Sequence, residues 1–245
     1  MPLRDLNTPL SIEHNPKVSP PILYMVKNQT LIRLFRDNSR PILLLVLLLG
    51  LVHGLIYVFL VPPWQHYDEY NHFQYIWLVA HRPGLPQPGD DDQQMDRWVL
   101  ASMVAHGFYR QFGDAPDLSD PTKRVSLGGY SQLPEPPLYY LLASLPARLL
   151  PADQVEVQLY AARLVSLVLF LVTLLAAWGT VRELAEPGSP LRWMVPLSIA
   201  LLPGVVDMMT ALNNDVGAVA FFSLFLWGST RLLKRGFSVG DFVWA

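Results

Sequence analysis

Residues 42–61 constrain this chain more than any other feature: twenty consecutive positions without a formal charge. At roughly 1.5 Å per residue, a helix of that length covers about 30 Å, the thickness of a bilayer's hydrocarbon core. A helix satisfies its own backbone, which lipid demands of anything crossing it. Pro62 and Pro63 then stop it. Apolar runs recur at 164–181, 193–209 and 214–233, the third extended past Asp207 by Met208 and Met209. Half of the chain is apolar (51%), and the clumping of that half separates a membrane protein from an apolar soluble domain. The pattern predicts an all-α membrane protein with about four transmembrane helices. A membrane domain over 41–245 carries a large first loop over 62–158.

Basic residues beside the spans set the orientation. The tail over 1–40 carries six Lys/Arg against three acids, and Arg231, Lys234 and Arg235 follow the last run. With four spans these two ends share a side, which the rule makes cytoplasmic. The 62–158 loop is then extracytoplasmic, and the expected location is the plasma membrane. The tail, with five prolines, is expected to be largely disordered, ending in a short basic helix with Lys27, Arg33, Arg36 and Arg40. The first apolar run starts too far in, and is too long, for a cleaved signal peptide. A net charge of −2 with no basic stripe argues against a nucleic-acid partner. Without cysteine, disulfides and thiolate metal sites are excluded.

The loop holds twelve acids against six bases and is rich in Trp, Tyr and Phe, so it reads as folded rather than as a linker. Residues 93–112 are expected to form a helix lying on the membrane surface, with Met95, Trp98, Val99 and Met103 along one side. Pro137 stands where a helix can start, and Pro146 would kink or end it.

Three short segments carry the candidate chemistry. PPWQHYDEYNHF at 62–73 places adjacent carboxylates, Asp68 and Glu69, just beyond the first span. Such a pair serves as a general base, as a metal ligand, or merely as a solvated helix start. The surrounding aromatic residues favour burial and a displaced pKa. His66, Glu69 and His72, spaced three apart, could hold zinc or manganese on one side of a helix, although HYDE is not the metalloprotease pattern. A divalent ion held by Asp68 or Glu69 together with a substrate phosphate fits the pattern better. YSQLPEPPLYYLL at 130–142 starts an interfacial helix whose aromatic residues could simply anchor it. ALNNDVGAV at 211–219 opens the last span; Asn213, Asn214 and Asp215 are either helix caps or a polar wall. Arg163 stands at the same edge, free to snorkel or to meet a phosphate.

In this order, and on this side of the membrane, the three segments resemble the GT-C class of membrane glycosyltransferases, among them protein O-mannosyltransferases and the bacterial aminoarabinose transferase. The resemblance covers roughly 40–235 and rests on Asp68-Glu69 opening the first loop, PEPPLYY, AARLVSL at 161–167, and LNNDVGA. It implies sugar transfer from a polyprenyl-phosphate donor to an acceptor of unspecified kind, at the outer face of the membrane. Asp68 would be the base and Glu69 its helper or a metal ligand. His72, Tyr139, Arg163, Asn214 and Asp215 would contact substrates, Arg163 by meeting the donor phosphate. The resemblance implies no definite cofactor and allows a divalent metal. The chain departs from the pattern at Pro134-Glu135, where many relatives carry His or Gln, and in its length, which suggests an N-terminal fragment. Two other readings stand beside this one. One is a non-catalytic or truncated binder of lipid-linked sugar. The other is a membrane metal-dependent hydrolase using His66, Glu69 and His72.

Overall fold

The computed structural model describes residues 39–236, and among them all regular secondary structure is helical. In chain order the helices are α1 (Ser39–Leu60), α2 (Glu69–His81), α3 (Gln93–Ala105), α4 (Tyr109–Phe112) and α5 (Leu138–Ala147). They continue as α6 (Val155–Leu184), α7 (Leu191–Leu201), α8 (Pro203–Thr210) and α9 (Asn214–Arg235). The expected cytoplasmic tail lies outside the described residues apart from its last two positions, and so does the segment beginning at Gly240.

Three helices, α1, α6 and α9, are long and apolar enough to cross a membrane; the chain is a helical membrane protein of multi-pass type. The third expected span is not one helix. Residues 193–209 fall in α7 and α8, which meet at a 65° bend. Pro203 is the cause: it has no N–H to continue the ladder, and it pushes Leu202 into an extended conformation (φ −78°, ψ 109°). The break frees carbonyls within an apolar bundle. His53 of α1, paired at 3.0 Å through Nδ1, serves the one on Ala200. The second expected span also differs, because α6 begins at Val155 rather than 164. At 30 residues it is about 45 Å long and stands well proud of its apolar stretch.

The bundle packs through small residues. Gly50 and Gly54 lie a turn apart on α1, and a Cβ at either would overlap a leucine of α6, Leu174 or Leu167. Gly179 takes the Trp227 indole of α9 in the same way. The parallel α6 and α9 are tied at one end by Arg235 and Glu183 (2.5 Å) and at the other through α5, whose Tyr139 packs on Gly217 and bonds Ser166. The α7–α8 pair begins at the first of these ends, where Arg192 donates to the Arg182 and Ala185 carbonyls. It finishes at the second. That second end, the loop face, also receives α1's C-terminus and all of residues 61–154.

Within the loop, α2 and α3 build a core of their own. Met95, Val99 and Met103 are fully buried there, so the expectation that they face lipid is overturned; they pack inside the loop. The helix also ends early, at Ala105, because Gly107 takes a left-handed turn (φ 71°) before α4. As expected, α5 starts directly after Pro137. Its Tyr139 and Tyr140 are buried in protein rather than free as membrane anchors.

Candidate functional site

The corner over 62–69 turns the chain from α1 into α2, and two non-glycine residues in it hold positive φ: Trp64 (70°) and Asp68 (51°). Aspartate tolerates this region; a tryptophan there costs on the order of 1–3 kcal/mol and needs the surroundings to impose it. Here they do. The Trp64 indole is completely buried, its backbone N–H donates to Glu69 Oε2 (3.1 Å), and its Nε1 donates to Ser102 (2.8 Å). Ser102 in turn donates to Glu156 at the start of α6 (2.6 Å).

Arg163 sits beneath this corner with no exposed surface, and so does Glu69. They form a two-point pair, Nε to Oε1 at 2.7 Å and Nη2 to Oε2 at 2.6 Å. The remaining N–H groups go to main-chain carbonyls: Val58 (2.9 Å) and Val61 (2.8 Å) from Nη1, and Pro62 (3.2 Å) from Nη2. A guanidinium has five donors, and all five are used. The carbonyls it serves are those orphaned where α1 ends. Arg163 therefore joins three elements and has no N–H left for a donor phosphate, against the role implied by resemblance. Glu69 is equally committed, which removes it from base or metal duty in this conformation.

The histidines diverge. His66 pairs through Nδ1 with Asp207 of α8 (3.2 Å), leaving a buried Nε2 without a partner. Burial lowers its pKa; Glu69 and Asp207 oppose that, and Arg163 adds to it. His72 Nδ1 meets the Tyr140 hydroxyl at 2.9 Å, and burial pushes its pKa down to about 4, so it is neutral at physiological pH. With His66, Glu69 and His72 each bound to a different partner, the metal triad does not assemble. Among the described residues, no group of three or more His, Asp or Glu side chains is placed to hold an ion.

The last-span segment divides its work. Asn213 caps α9 by accepting from the Val216 N–H (3.0 Å). Asn214 reaches back to Glu135 (2.9 Å), the residue at which the chain departs from the GT-C pattern. Asp215 is exposed. Tyr139 spends its hydroxyl on Ser166 (2.8 Å) and offers only its ring to an apolar cleft of about 190 Å³ bounded by Pro136, Leu138, Gly217 and Phe221.

All three candidate segments thus meet at the loop face, through His72–Tyr140, His66–Asp207 and Asn214–Glu135. Of the paired acids, Asp68 alone is left over. It is half-buried at the N-terminus of α2, makes no capping bond, and has no side-chain partner among the described residues. Sequence reasoning missed the Asp207 pairing; its signal was an acid inside an apolar run. It also missed the Ser102–Glu156 link, for which the sequence holds none. Comparison with known protein families, curated proteins and solved structures finds no match to this chain.

Proposed function

We propose that this chain carries the acceptor-activating site of a membrane glycosyltransferase that uses a polyprenyl-phosphate sugar, with Asp68 as the base. The observation that carries the reading is the state of Asp68: a carboxylate without a partner, at a rigid corner where the three polar segments meet. In the reaction the acceptor hydroxyl gives its proton to Asp68 and its oxygen attacks the anomeric carbon. The bond from that carbon to the phosphate oxygen breaks, and polyprenyl phosphate leaves with the electron pair. Asn214 and the Tyr139 ring line an apolar cleft on the same loop face, and Asp215 is exposed beside them. The four apolar segments cross the plasma membrane, α7 and α8 as one broken span, with the N-terminus cytoplasmic and the loop outside. Arg40, Arg182, Arg192, Lys234 and Arg235 at the end away from the loop support that orientation.

A second reading follows from Arg163. With its donors consumed, it does not neutralise a leaving phosphate, which favours a protein that binds lipid-linked sugar without turning it over. Membranes containing the chain, supplied with radiolabelled polyprenyl-phosphate sugars, separate the two. Transfer that disappears in Asp68→Asn, at unchanged expression and insertion, is the expected result. Transfer unaffected by Asp68→Asn removes Asp68 as the base, and donor retention without transfer selects the binding reading.

A further inference from the structure

A second recess lies on α2 one turn beyond Asp68. It is a polar cleft of about 220 Å³, walled by Asn71 and Gln74 of α2, by Gly89 and Asp90, and by the turn from Ser126 to Ser131. Asn71 is 2% exposed, and its Nδ2 makes no hydrogen bond of good geometry, only a weak interaction with the neighbouring Tyr70 hydroxyl. An unpaired buried amide costs on the order of 1–3 kcal/mol, which a ligand oxygen would recover. Gly129 covers this amide. It holds φ 71°, and a Cβ there would collide with both Asn71 Nδ2 and the Tyr70 hydroxyl. Only glycine leaves the opening.

The lining selects the ligand. It offers amides, hydroxyls, one carboxylate and the peptide groups of Gly128 and Gly129, with Leu127 as its one large apolar side chain. No Lys, Arg or His lines it, so a phosphate or carboxylate would find no charge partner and would meet Asp90. The volume falls below the roughly 300 Å³ typical of drug-sized sites. The Asn71 N–H bonds to the Asp68 carbonyl (3.0 Å), so the cleft opens one helical turn from the candidate base. From the under-satisfied Asn71 amide and the polar lining, free of cations, around it, we infer that this cleft binds a single uncharged sugar ring, and, resting on the proposed function for its catalytic meaning, that the acceptor is a glycan.

The test is saturation-transfer difference NMR on the purified chain, in a detergent without a sugar headgroup and without any lipid-linked donor. The probes are methyl α-mannoside, methyl β-glucoside, methyl β-galactoside and N-acetylglucosamine. At least one is expected to saturate on the wild type and on Asp68→Asn, and to bind about tenfold more weakly to Asn71→Asp and to the surface-accessible Gln74→Ala. No saturation on the wild type, or equal binding by all variants, overturns the cleft assignment. Saturation that depends on the cleft in a chain that never transfers sugar keeps the assignment and defeats the enzyme reading alone. Transfer by a chain that binds none of the probes does the reverse.

Discussion

Replacing Arg163 by methionine would leave the fully buried Glu69 carboxylate without its cation and the Val58 and Val61 carbonyls without their donor, while the Pro62 carbonyl keeps the Gln65 N–H. Breaking a buried pair by removing one partner costs about 3–5 kcal/mol, and here the orphaned carbonyls add to it. Arg163→Met is therefore expected to lower the thermal midpoint sharply in detergent. Glu69→Gln, which leaves the guanidinium its carbonyls and a neutral acceptor, is expected to lose less. A midpoint unmoved by Arg163→Met would return Arg163 to ligand binding. Asp96 tests burial in another way. It is 2% exposed, its Oδ1 has no partner, and desolvation, with Asp91 and Asp92 nearby, pushes its pKa from 3.8 up to about 7. Between those two values the folded chain keeps a proton that the unfolded chain has lost, so this residue's contribution falls as pH rises through that window. Asp96→Asn is expected to raise the midpoint at pH 8 and to match the wild type near pH 4. An equal gap at both pH values would show that the carboxyl's ionisation is not involved. Arg163 and Glu69 stood out in the sequence by type alone, and Asp96 did not. Arg163 and Glu69 are 94 positions apart, and no local pattern says that one will consume the other.

At the scale of elements, what could be read in advance was whatever depends on composition along a single helix. The span over 42–61 is α1 almost to the residue, and Pro137 does start α5. Where two influences competed, the reading followed the wrong one. The apolar character of 193–209 hid Pro203, a proline whose missing N–H decides the element's shape. Positions 155–158, with Glu156 and Gln158, fall to the loop in the sequence reading and 159–163 to neither loop nor span; yet the stretch contains no proline or glycine, and the helix simply continues through it. In α3 the apolar side was legible, but what covers it was not: a helical stripe fits a lipid surface and a protein core equally well. The loop supplies that core, through Phe73, Ile76 and Trp77 of α2. The glycines at 50 and 54 were legible as a close-packing motif and went unused.

For the whole molecule, the decisive quantity is the number of crossings, because the proposed chemistry requires the loop and the donor's sugar on one side. The bend between α7 and α8 is where that number is set. If the pair crosses, the start of α9 lies on the loop's side; if it folds back, the start of α9 moves to the other face. The second arrangement conflicts with the bonds joining Asn214 to Glu135 and His66 to Asp207. Labelling can decide it cleanly, since the chain has no cysteine of its own. Pro121→Cys lies on the exposed loop and Glu186→Cys on the exposed turn after α6. In intact cells a membrane-impermeant maleimide is expected to modify the first and to reach the second only after lysis. The partner test is Lys234→Cys, at the exposed end of α9, which should behave like Glu186→Cys if the α7–α8 pair and α9 both cross, and like Pro121→Cys if the pair folds back. Protection of the loop position in intact cells would put Asp68 on the cytoplasmic side, where the sugar donor proposed here is not presented. Labelling of all three would leave α6 without a crossing, and the bundle's parallel pairing of α6 with α9 would then belong to some other environment than a bilayer.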